Sequence, residues 1–210
     1  MIAYKFLLPD RVSPFSGATW PAENWVEADG PLVPCRNGIH ACRIRDLAYW
    51  LMDDLWQVEL DGDLVEYELK VVARRARLVR RIDAWDANTR QTFIHMCLRR
   101  VAEHAAVEAA DSSVDREAAA LVSASRSDDL DSIKAAARDL GAALPQDARA
   151  GKRLAGFVED AVDWVELPAA ALAYVAAHAA DGRSRVVADD AFAAERSLQS
   201  AWLAEHLGLD

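Results

Sequence analysis

Cysteine, glycine and proline are scarce in this chain: three, nine and seven among 210 residues. Three cysteines are an odd number with no dense spacing, so no disulfide framework is expected, and reduced thiols in a cytoplasm fit them better than a secreted scaffold. Basic charge is also short. Against 34 acidic side chains there are 24 basic ones, a formal charge of −10 that opposes general adsorption to nucleic acid or an anionic membrane. The deficit is uneven, because residues 1–83 hold 11 basic and 13 acidic groups while residues 84–210 hold 13 and 21. Long apolar runs are missing too. The longest weakly polar stretch, Leu167 to Ala180, is mostly alanine and carries His178, too short and small-chained to span a bilayer. The opening, Met1 to Pro9, reads as a strand rather than a signal peptide.

What is present is hydrophobic content of 52%, enough to bury a core without disulfide or metal. Ile2 to Leu8 is expected as a strand stopped by Pro9, followed by a turn-rich segment to Pro34 that Trp20, Trp25 and Val26 pin onto the core. Trp20 or Trp25 stacking on a ligand is the functional counterpart. Gly38 feeds a short strand, and Asp46 is expected to cap a helix that buries Leu47, Tyr49, Trp50 and Leu51. Leu55 to Leu60 and Leu64 to Ala73 are expected to form a hairpin about Asp61-Gly62, continued past a bulge by Arg77 to Ile82. Trp50, Trp56 and Trp85 are expected to be buried.

From residue 88 onward the apolar period becomes helical, with a helix from Asn88 or Thr89 to Ala110 that buries Phe93, Cys97, Val101 and Ala105. Further helices are predicted over Asp115 to Ser125, Leu130 to Leu140, Lys152 to Val165, Pro168 to Ala180 and Asp190 to Leu207, with breaks at Pro145, Gly151, Pro168 and Gly182. The fold class is therefore α+β. A small, mainly antiparallel sheet with a short helix occupies residues 1–85, and an alanine-rich helical layer or bundle occupies 86–210.

Chemistry-bearing residues concentrate between Cys35 and Cys42. Cys35, His40 and Cys42 are zinc-ligating types that His95 or Cys97 can complement, but the spacing lacks paired short knuckles, so no metal is assigned. His40 and Cys42 two apart on a strand share a face without bringing reactive atoms together, which ranks a cysteine nucleophile below packing. The better candidate is a ligand site: Gly38 permits close approach, His40 titrates near neutrality, and Arg43 or Arg45 can grip an anion. For an enzyme acting on a small polar metabolite, His40 and Glu68 are the catalytic candidates, with Glu59 in reserve and Arg43 or Lys70 beside them. Glu66, Glu68 and Lys70 share a face if one strand carries all three. The arginines from Lys70 to Arg81 are read as paired with the acidic helical half, which weighs against nucleic acid as a partner. Arg99 and Glu103 are set for an i,i+4 pair.

Tyr4-Lys-Phe6, Gly38-Ile-His-Ala-Cys42, Leu55 to Gly62 and Lys70 to Arg81 together resemble a bacterial and phage domain family of unknown function, over residues 1–85. That resemblance implies a common fold and no activity. The order of elements is also similar to the start of ADP-ribosyltransferase-like domains. By that comparison Lys5 stands where a basic residue holds the cofactor NAD, and Gly38 to His40 line the nicotinamide side. Lys5 is not arginine, however, and the serine and late glutamate patterns of those transferases are not identifiable. The functional expectation is a cytoplasmic accessory domain that binds a small polar ligand or a protein, with Lys5, Gly38, His40, Arg43 and Lys70 as its ligand-binding residues and homo-oligomerisation open to it. The alternative is an enzyme on a small metabolite, an NAD-dependent transferase among the choices, and no cofactor is assigned.

Overall fold

The computed structural model describes every residue except 111–112, 128, 164, 166–167, 184–187 and 210. Trp164, within the fourth predicted helix, and Leu167 at the head of the alanine-rich stretch lie outside the described residues. The fold is α+β, with a five-stranded antiparallel sheet followed by helices. Two compact units divide the chain: residues 1–89 together with 197–210, and residues 90–196.

In the first unit β1 (Ile2–Leu7) pairs with β4 (Asp54–Tyr67), which pairs with β5 (Lys70–Arg81). The far edge of β5 receives both β2 (Val26–Glu27) and β3 (Ile39–Ala41). A further pair of backbone hydrogen bonds joins Tyr4 to Cys42, at 2.9 and 2.7 Å, so the path from β1 through β4, β5 and β3 returns to β1. The sheet thus curls into a small ring, and its concave face holds Ala3, Leu7, Ile39, Ala41, Val58, Leu60, Val71, Ala73, Ala76 and Leu78, capped by Trp20. Period-two alternation accounts for which residues face inward.

Several expectations for this unit need correction. Asp61-Gly62 is not a hairpin turn but a bulge inside the long β4: Asp61 pairs with Arg75 and Leu64 with Ala73, leaving one extra residue on β4. Gly62 has φ +74, which a bulge of this kind requires and which also explains why the dipeptide imitated a turn. The true reversal is Glu68-Leu69, between the paired Tyr67 and Lys70, so Glu66 and Glu68 do not share a strand with Lys70. A second bulge lies at Val79, since Gln57 pairs with Arg80 and Val58 with Leu78. The short helix is a 3-10 turn over Ile44–Tyr49 whose cap position is Arg43, and Asp46 lies within it, buried against that arginine. The arginines of β5 are paired across the strand rather than to the helical half: Arg77 with Glu59 and Arg81 with Asp54 at 2.7 and 2.6 Å, and Arg75 with Asp61. Of the three tryptophans, Trp85 is buried edge-on to Phe6, while Trp50 and Trp56 are half-buried. The chain's C-terminal segment also belongs here, with Ser200 Oγ accepting the Ala48 N–H at 3.1 Å.

The helices are α1 (Ala87–Ala109), α2 (Asp115–Ala124), α3 (Leu130–Ala143), α4 (Arg149–Asp163), α5 (Ala169–Arg183) and α6 (Ala188–Leu207). The stripe Phe93, Cys97, Val101 and Ala105 of α1 is fully buried, as its spacing predicts. Asp86, not Asn88 or Thr89, caps this helix by accepting the Thr89 N–H at 2.8 Å. Gly151 and Gly182 sit inside α4 and α5 rather than at breaks, whereas Pro145 falls between α3 and α4 and Pro168 just before α5. In the second unit α2 packs on α3, α3 on α4 and α4 on α5. Arg100, not Arg99, takes Glu103, and it also forks onto the buried Glu195.

Candidate functional site

The ring closes between β1 and β3 through one pair of hydrogen bonds, and there the first unit opens into a cleft of about 620 Å³. That is the volume range of small-molecule sites, and barrel mouths are a common place for them. Its wall is built from the backbone and side chains of residues 4–6 and 38–42, from the loop carrying Ser13, Phe15 and Trp20, and from Cys35, Arg36, Trp50 and Lys70.

Gly38 sets the approach of β3. Its φ of +122 suits glycine, and a methyl group there would collide with the Val72 side chain. His40 is half-buried, and its Nε2 accepts the Cys35 N–H at 3.1 Å. Burial first, and then the neighbouring Lys70 and Lys5 charges, push its pKa below the usual imidazole value. The ring is therefore neutral at physiological pH, and because Nε2 accepts, Nδ1 carries the proton.

Lys5 reaches the cleft from the same side of β1 as the core residues Ala3 and Leu7. Its Nζ donates to the His40 carbonyl at 2.7 Å and sits 5.1 Å from the Trp20 ring centroid. Burial lowers its pKa from 10.5 to about 8. Lys70 Nζ donates to Cys35 Sγ at 2.9 Å and lies over the Trp50 ring at 5.4 Å. Phe15, largely exposed, meets Trp50 edge-on at 6.2 Å. Cys42 is buried, donates to the Tyr4 carbonyl at 3.3 Å, and its thiol is pushed up to about 12 by burial, which makes it inert.

The predicted site residues separate into two groups. Lys5, Gly38, His40 and Lys70 line the cleft together, whereas Arg43 and Glu68 do not. Arg43 is occupied elsewhere: it pairs with Asp46 at 2.5 Å and Glu66 at 3.0 Å, and donates to the Tyr67 and Glu68 carbonyls at 3.0 and 2.6 Å. Glu59 is held by Arg77. Among the described residues no Asp or Glu lines the cleft, so the acid partner proposed for His40 is not among its described walls. Among the described residues no group of three or more His, Cys, Asp or Glu is arranged to hold a metal, and no helix is long and apolar enough to cross a membrane.

Sequence reasoning missed Arg36, Phe15 and Trp50 as cleft residues. Trp20 was visible as a large apolar side chain in a turn-rich segment, but nothing in the spacing of Phe15 and Trp50 announces that they meet. No curated protein and no solved structure matches the chain. Residues 1–90, from β1 past the end of β5, match the family model described as a domain of unknown function, DUF7666.

Proposed function

We propose that this cleft binds a small anionic ligand with a flat apolar body. The observation that carries the reading is an inversion of charge: in a chain of formal charge −10, Lys5, Arg36 and Lys70 line one cleft with no carboxylate among its described walls. None of the three forms an ion pair within the described residues, whereas Arg43, Arg74, Arg75, Arg77 and Arg81 of the same unit are all paired. Cations held beside low-dielectric walls without counter-ions favour an anion supplied from outside, at about 1.5–3 kcal/mol for each charge-assisted hydrogen bond. Trp20, Trp50 and Phe15 supply faces and edges for an aromatic ring. In this reading the first unit, residues 1–89 with 197–210, carries the site, and the helices of the second unit, residues 90–196, offer surface to a protein partner or a second copy.

The test is a thermal-shift and calorimetric titration of the full chain with phenyl phosphate, phenyllactate and NAD, beside neutral benzyl alcohol. Binding of an anionic probe that weakens with added salt, and roughly tenfold in Lys70→Met, supports the proposal. Equal response to the neutral probe, or no response to any anion while a protein partner is recovered specifically, overturns it.

A further inference from the structure

Lys5 occupies a position that ordinarily belongs to an apolar residue. Ala3 and Leu7, two residues to either side on β1, pack into the core with Trp20, and alternation places Lys5 on their side of the strand. Among the described residues its ammonium makes one hydrogen bond, to the His40 carbonyl, which uses one of its three protons, and no carboxylate pairs with its charge. The acidic group that acts on it, the Cys42 thiol, stays protonated. A lysine so placed either waits for an anion or gives up its proton. Arg36, exposed, and Lys70, half-buried, line the same cleft and suffice for an anion. The amine at the buried end is then available for chemistry.

We propose that Lys5 is a Schiff-base-forming amine, and that the ligand class of this cleft is a small carboxylate or phosphate bearing an aldehyde or ketone. The inference rests on the anion-binding reading above and names its substrate class. The Nζ lone pair attacks the carbonyl carbon, forming a C–N bond as the C=O π pair moves onto oxygen. A proton passes from nitrogen to that oxygen, giving a carbinolamine. The C–O bond then breaks, oxygen leaves as water with a second proton from nitrogen, and an imine remains. Amine plus carbonyl gives imine plus water, so no oxidant or reductant is needed. The free base required for attack is accessible: with its pKa near 8, roughly a tenth of Lys5 is unprotonated at pH 7, against less than about a thousandth of an ordinary lysine. The His40 carbonyl orients Nζ, and the Trp20 ring centroid lies 5.1 Å from it.

The chain has four lysines, Lys5, Lys70, Lys134 and Lys152, so an adduct is easily mapped. Full-length protein is incubated with phenylpyruvate and sodium cyanoborohydride, and the reduced adduct is located by peptide mass spectrometry. The expected result is labelling of Lys5 about tenfold faster than of Lys134 or Lys152, rising as pH passes through 8 and slowed by phenyllactate. Phenyllactate has the same ring and charge but a hydroxyl in place of the ketone, and its binding to the unmodified protein is measured in parallel. Lys5→Arg, whose guanidinium cannot form the imine, should lose the adduct while its urea-unfolding midpoint shows that it is folded. Uniform labelling, labelling confined to Lys70, or no adduct while phenyllactate still binds overturns the amine proposal alone. Loss of both adduct and phenyllactate binding overturns it together with the anion-binding reading.

Discussion

The backbone N–H of Cys35 donates to Nε2 of His40 at 3.1 Å, so the imidazole ties the loop before β3 to the strand and cannot use that nitrogen as a base. Protonation removes the Nε2 lone pair and breaks this bond, while placing a new charge near Lys5 and Lys70. A pKa held below its unfolded value means that the unfolded chain takes up the proton first. Stability is thus fully present above about pH 6.5 and is lost as pH falls through the folded-state value. Urea unfolding at pH 7.5 and pH 5.5 should show wild type losing more than His40→Asn, by less than about 1 kcal/mol because the ring is half-exposed. Identical pH dependence of the two proteins would remove the loop-tying role.

Arg43, expected from sequence to face a ligand, is a structural clamp. Asp46 is buried with a side-chain exposure of 4%, and Arg43 also holds the carbonyls of the β4–β5 turn. Arg43→Ala leaves a buried carboxylate without its partner and should cost about 3–5 kcal/mol in urea unfolding. A double-mutant cycle with Asp46→Ala should return a coupling of about 1–3 kcal/mol. Additive effects would mean that the pair is incidental.

In the second unit Glu195, 2% exposed, accepts Arg100 Nη2 at 2.8 Å and faces His104 Nε2 at 3.2 Å. Burial alone would raise the carboxyl pKa, but hydrogen bonds from His104 and Arg100 hold it below the usual glutamate value. The stability it contributes is present above about pH 4.5 and lost as pH falls through the folded-state value. Glu195→Gln should lower stability by about 3 kcal/mol at pH 7. Replacing the pair together, Glu195→Leu with Arg100→Met, should cost less than Glu195→Leu alone. A larger loss in the double variant would show that the charges stabilise outright.

Thiol reactivity should divide the cysteines. Cys35 is exposed, whereas Cys42 and Cys97 are buried with their thiols pushed up by burial. Ellman's reagent at pH 7.5 should titrate one thiol quickly and the remaining two only after denaturant is added. Because the unfolded thiols ionise near pH 9 and the folded ones later, stability should also fall as pH rises past about 9. Rapid reaction of all three in the folded protein would contradict the packing of β3 against β1.

Much of the fold was legible because it is local. Apolar residues at helical spacing located the six helices of the described residues to within a few residues, since Phe93, Cys97, Val101 and Ala105 line one face of a helix, whereas a strand would put Arg99 and Glu103 on that same face. Glycine misled where its conformational need was real but its context was not local. Gly62 requires a positive φ, yet whether that φ serves a turn or a bulge depends on which residues of β5 lie opposite. The candidate site was half legible. Gly38, His40 and Lys70 were singled out by residue type and Lys5 by the resemblance to ADP-ribosyltransferase-like domains, and the four line one cleft, but Arg43, chosen by residue type, closes a turn instead.

By itself the sequence determined the alternation of β1, the helical period beyond residue 86 and the charge balance, because each follows from neighbours a few residues apart. Tertiary structure alone decided three things. It returned Ser197–Asp210 to the N-terminal unit, where Ser200 meets Ala48. It closed β3 onto β1 through Tyr4 and Cys42, and it gathered Lys5, Arg36 and Lys70 around one cleft without a carboxylate. These depend on contacts between residues tens of positions or more apart, whose pairing is set by how the whole core packs rather than by any stretch of chain.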